Sequence, residues 1–149
     1  VTTVDRTAPS QTESISLEFD LHHVPEKVWR ALTDPVLLGK WLLPVLDLHL
    51  EPGAAFKFKA SPQPGWDGIV NCRLLESDAH RKLSYTWIVG DIDTIVTFTL
   101  TPTASGTRLT IVQSGFKSGQ KRNFSGARYG WKMMVAKLVD LLAKSHEPA

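Results

Sequence analysis

Between Ser14 and Leu21, apolar Ile15, Leu17, Phe19 and Leu21 alternate with Ser16, Glu18 and Asp20. A period of two marks a strand with one face buried and the other wet. The pattern returns several times downstream. In LDLHLEPGAAFKFKA it breaks at Pro52-Gly53 and resumes with Phe56 and Phe58 between lysines. GIVNCRLLESD sets Val70, Cys72 and Leu74 on one face, and KLSYTWIV does the same with Leu83, Tyr85 and Trp87. TIVTFTLTP alternates Val96, Phe98 and Leu100 with threonines. After a Ser105-Gly106 turn, TRLTIVQSGF carries Leu109, Ile111 and then Gln113 in one phase.

Two segments keep a helical period instead. VPEKVWRALTDPVLLGKWLLP, residues 24–44, holds two short helices rather than one. Pro25 suits a first helical turn, where its missing N–H is not needed. Val28, Trp29 and Leu32 form the apolar stripe. Asp34-Pro35 stops that helix and starts another, Asp34 as the cap and Pro35 at the first helical position. The second helix runs to about Trp41, and Pro44 closes the unit. From Ala127, Trp131, Met134, Val135, Leu138, Leu141 and Leu142 recur at helical spacing, with Lys132, Lys137, Asp140 and Lys144 on other faces. This predicts an amphipathic helix of about 20 residues, about 30 Å long.

Burial dictates how these elements combine. A sheet with one apolar face must cover it, and the terminal helix is the element long enough to do so. The expected fold is α+β: a curved antiparallel sheet of about six to seven strands wrapped around the C-terminal helix. The two short helices after the first strand close one end and deliver Trp41 to the rim of a cavity between sheet and helix. Residues 1–13 are expected to form a flexible tail, and residues 14–149 a single domain.

The chain has 149 residues, enough for one domain with its own core. Its formal net charge of +2 is too small to announce a nucleic-acid or anionic-membrane partner. No apolar run reaches about 18 residues, so no transmembrane helix is expected. The N-terminal residues have neither the basic nor the apolar region of a signal peptide, which points to the cytoplasm. The one cysteine, Cys72, leaves no internal disulfide.

Catalytic and metal chemistry find little support. The histidines stand at 22, 23, 49, 80 and 146, without ligand spacing, so no metal is expected. No cofactor fingerprint or nucleophile elbow is present. Cys72, between Val70 and Leu74, lacks an activating base and reads as a core residue. Asp91 and Asp93 flank Ile92 at a turn, where solvated charges are expected. Residues 117–132 hold Lys117, Lys121, Arg122, Arg128 and Lys132 with no acid among them. They read as a solvated loop opening into the helix. Beside a cavity mouth, such a loop would steer an anionic apolar ligand.

The aromatic residues carry the strongest signal. Trp41, Phe56, Phe58, Tyr85, Trp87, Phe98 and Trp131 fall on inward phases or at helix ends. Such a set suits a pocket that is mostly apolar with a few placed polar groups. Tyr85 and the Gln113 amide are the polar candidates, and a buried amide needs a partner worth about 1–3 kcal/mol. Cys72 from the sheet and Met134, Val135 and Leu138 from the helix complete the expected lining.

The 24–44 segment, the PGAAFKF hairpin, the GTRLTIVQSGF strand and the YGWKMMVAKLVDLLA helix together resemble the activator-of-heat-shock-protein-90-ATPase homologue family. That family lies within the START/polyketide cyclase/birch-allergen-like superfamily. The resemblance spans residues 14–143 and implies a helix-grip fold with a central ligand cavity. The leading expectation is a cofactor-free protein binding a small apolar or aromatic ligand. The alternatives are a cyclase or hydratase using the same cavity, with Tyr85 and Gln113 polarising the substrate, and an adaptor acting on heat-shock protein 90. An outward apolar residue such as Ile88 suits a homodimer surface.

Overall fold

The structure is a computed structural model, described here over residues 3–7 and 14–144. Eight strands form one antiparallel sheet. They are β1 (Thr3–Asp5), β2 (Ser14–Leu21), β3 (Val45–Leu46), β4 (Ala55–Lys59), β5 (Ile69–Asp78), β6 (Lys82–Val89), β7 (Ile92–Thr103) and β8 (Gly106–Ser114). Their order across the sheet is β1-β2-β8-β7-β6-β5-β4-β3. The helices are α1 (Pro25–Thr33), α2 (Pro35–Trp41) and α3 (Lys121–Lys144), with a 3-10 turn at Ser118–Gln120.

The alternation read from the sequence is the alternation of burial. Along β2 the residues Ile15, Leu17, Phe19 and Leu21 are buried, and their neighbours are half-exposed. One face of the sheet thus joins α3 in a continuous core. The sheet nevertheless has eight strands where six to seven were expected. The additional pairing is at its edges, in strands of two and three residues that are too short to show a period.

The Asp34-Pro35 break works as the sequence suggests. The Asp34 carboxylate accepts from the Val36 and Leu37 amides at 2.8 and 3.4 Å, capping α2. Its own amide donates to the Arg30 carbonyl at 2.8 Å and finishes α1. The two helices are then tied together by Trp41. Its indole N–H donates to the Ala31 carbonyl at 2.8 Å. Trp41 is 1% exposed, so it fills the core between the helices instead of standing at a rim.

Two further expectations are corrected. Within the segment expected to be a flexible tail, Thr3–Asp5 pairs with β2 in the register Thr3↔Phe19 and Asp5↔Leu17. Residues 8–13 of that segment, and His146, lie outside the described residues. The basic stretch is helical from Lys121 on, so α3 has 24 residues, about 36 Å. Its missing acid comes from β1. The Asp5 carboxylate receives Arg128 Nε at 2.6 Å and Lys132 Nζ at 3.1 Å, 123 and 127 positions away in sequence.

Burial acts to raise the pKa of Asp5, but hydrogen bonds from Arg128, Thr7 and Lys132 outweigh it and hold the carboxyl well below its ordinary value. A depressed folded value means stability that is complete above the unfolded value, about pH 4, and is lost as pH falls towards the folded one. Asp5→Asn is therefore expected to cost about 1 kcal/mol at neutral pH, since both cations are partly solvated. The gap between variant and parent should narrow as melts are repeated below about pH 4. A gap that stays constant with pH would show that Asp5 does not clamp β1 to α3.

Candidate functional site

The inward phases of β4, β6 and β7 bring five rings to the face that meets α3, and Trp131 of α3 is the sixth. Phe56 stands 5.7 Å from Phe58 and 5.0 Å from Tyr85, both edge-on. Tyr85 also meets Phe58 at 5.9 Å and Phe98 at 5.8 Å. Trp87 lies 5.3 Å from Phe58 and 5.6 Å from Trp131, and Trp131 sits edge-on to Phe98 at 5.7 Å. These separations and tilts are the favourable ones for aromatic pairs. Phe56, Phe58, Tyr85, Phe98 and Trp131 are buried, while Trp87 is only half-buried. Trp87 thus marks where the array comes to the surface.

A chain of hydrogen bonds runs through this array. Trp131 Nε1 donates to Gln113 Oε1 at 2.8 Å. Gln113 Nε2 donates to Thr94 Oγ1 at 3.0 Å, and Thr94 donates onward to the Trp87 carbonyl at 2.8 Å. The directions are forced. An indole N–H can only donate, so Gln113 must present its oxygen to it and its NH2 to Thr94. Thr94 then spends its proton on Trp87. The amide singled out from sequence phase is therefore held by protein groups, and it fastens α3 to β8, β7 and β6.

Tyr85 is different. Its hydroxyl has no hydrogen-bond partner among the described residues, and there every side-chain nitrogen or oxygen sealed from solvent does have one. The hydroxyl is consequently not sealed. A water-sized space touches it, although Tyr85 as a whole is 2% exposed. Burial, and then the neighbouring Cys72 sulfur, push its phenol well above the ordinary value. Cys72 is buried, its Sγ 3.8 Å from the Val70 carbonyl, and burial pushes its thiol up to about 12. Both groups keep their protons at neutral pH, so neither is set up as a nucleophile.

The helix residues divide. Leu138 is fully buried, and Met134 packs half-buried against the core. Val135 is buried and also fronts a groove of about 260 Å³ with Thr3, Phe19 and Lys132, on the β1 side of α3. Elsewhere, Asp91 and Asp93 line an open cleft of about 590 Å³ with Lys117 and Gln120, and Gln120 Nε2 fixes the turn by donating to the Asp91 carbonyl at 3.0 Å. Ile88 lies on the outer face, along a shallow groove with Ala55, Asn71 and Thr86. Thr94 was not singled out from the sequence, yet it stands in the inward phase of Val96 and Phe98, and that phase was the available signal.

An antiparallel sheet closed by a long C-terminal helix, with an aromatic array between them, defines a helix-grip fold. Residues 22–143 match the family model described as Activator of Hsp90 ATPase homolog 1-like protein, and the chain belongs to that family. It is similar to MLL2253 from Mesorhizobium loti, at 38% identity and a TM-score of 0.83 over 90% of this chain and 99% of that one. It is also similar to CV1439 from Chromobacterium violaceum, at 31% identity and a TM-score of 0.72 over 89% of this chain and 99% of that one. CalU16 from Micromonospora echinospora shares the fold at 21% identity and a TM-score of 0.73, over 96% of this chain and 85% of that one. No curated protein matches the chain.

Gln113→Leu is close in volume but removes both links of the relay. It leaves the Trp131 N–H unpaired and the Thr94 hydroxyl without its donor, at an expected cost of about 2–4 kcal/mol. Chemical denaturation measures this, and a loss below about 0.5 kcal/mol would mean the relay does not hold the helix.

Proposed function

We propose that this protein binds a small apolar or aromatic molecule between the inner face of the sheet and α3. The observation that carries this reading is the Tyr85 hydroxyl. A polar atom among packed rings, with no protein partner yet not sealed from solvent, is what a ligand pocket presents and a finished core avoids. The half-buried Trp87 beside Trp131 supplies the flat apolar wall at the surface end of the array. The family and the fold support the general reading of a ligand-binding scaffold, on which occupants differ from protein to protein.

Four of the five tryptophans give an internal control. Trp87 and Trp131 belong to the array, Trp41 is closed between α1 and α2, and Trp29 stands against His80 at 6.2 Å. Titration of 15N-labelled protein with indole as the probe should shift the indole N–H signals of Trp87 and Trp131 in a saturable way. Those of Trp29 and Trp41 should stay in place. Uniform small shifts at all of them, or none at any, would contradict the proposal.

A further inference from the structure

Among the described residues, the buried interior contains no charged side chain. Its buried polar side chains outside the aromatic residues are Ser84, Thr94, Thr107 and Gln113. Each is already engaged. Ser84 Oγ lies 3.0 Å from Thr97 Oγ1, and Thr107 Oγ1 donates to the His23 carbonyl at 2.7 Å. Thr94 and Gln113 are spent in the relay that fastens Trp131. The Tyr85 hydroxyl, not itself sealed from solvent, is the side-chain oxygen of a buried residue left without a protein partner among the described residues.

Two of the five cations of the basic stretch are also committed. Arg128 and Lys132 both close on Asp5, at the β1 edge. Placing a carboxylate among the rings would strip its water and return no opposite charge, which costs far more than leaving a neutral group there. A phenol oxygen shares its lone pairs with its ring and is a better donor than acceptor. With its proton retained, Tyr85 offers an O–H to whatever faces it.

Resting on the binding proposal above, we infer that the ligand is a neutral, flat apolar molecule carrying one oxygen acceptor, a carbonyl or ether, which takes the Tyr85 hydroxyl proton in a hydrogen bond. Carboxylate-bearing ligands of the same skeleton are excluded by the uncharged interior.

Three probes on one skeleton separate the contributions. Acetylnaphthalene is neutral with an acceptor, ethylnaphthalene is neutral without one, and naphthoate is anionic at neutral pH. Calorimetric or NMR titration should rank them in that order. The ketone should bind about tenfold more tightly than the hydrocarbon, the worth of one buried hydrogen bond. Naphthoate should be weaker than ethylnaphthalene.

Tyr85→Phe should bring the ketone and hydrocarbon to parity while leaving naphthoate weak. That substitution deletes an unpartnered hydroxyl, and an unchanged melting temperature confirms the fold. In the parent protein, the Tyr85 Cζ resonance should move with the ketone and not with the hydrocarbon. Naphthoate binding as well as the ketone, or a ketone preference that survives Tyr85→Phe, would overturn the inference while leaving the binding reading in place. Failure of all three probes to bind would overturn the binding reading itself.

Discussion

The grip of sheet on helix depends on one buried contact, the indole N–H of Trp131 on the Gln113 amide oxygen at 2.8 Å. Apolar burial between a sheet and an amphipathic helix is non-directional and tolerates sliding. A hydrogen bond between two buried groups does not, because breaking it leaves both desolvated and unpaired. Thr94 extends the contact to the Trp87 carbonyl, so one relay sets the position of α3 against three strands. With Trp131 fixed, Phe98 and Trp87 have a wall to pack on, and the ring array takes its shape.

On the β1 side of α3 the Asp5 clamp does the complementary work, fastening an edge strand of only three residues. Such a strand has little pairing of its own and depends on long-range partners. The arrangement also consumes positive charge that would otherwise front the helix. Structure and electrostatics are therefore linked: the contacts that hold β1 down also help to keep the site neutral.

The parts of the fold legible in the sequence were those with a strong period or a strong local stop. Strands of eight or more residues announced themselves by alternation, and Asp34-Pro35 by its capping chemistry. What escaped was long-range. Asp5 gives no local sign that it will meet Arg128, and Gly126 and Gly130 weaken the helical signal over the first turns of α3. Trp41 shows the limit of phase at a helix end. Its position named it for a cavity rim, and the bond to the Ala31 carbonyl holds it in the core instead. The site was half legible in the same sense. Period two brought Tyr85 and Gln113 to the inner face, but it carries no information on which of them finds a protein partner.

That difference between two inward polar residues is the centre of the account. Gln113 is used to build the fold, and Tyr85 is left over for something else. A high-resolution crystal structure of the protein purified from its own host tests this most directly. The account predicts ordered density, water or ligand, about 2.7–2.8 Å from the Tyr85 hydroxyl on the inner face, with the Trp131–Gln113–Thr94 relay intact. A Tyr85 hydroxyl bonded to a protein atom, or sealed with nothing beside it, would contradict it.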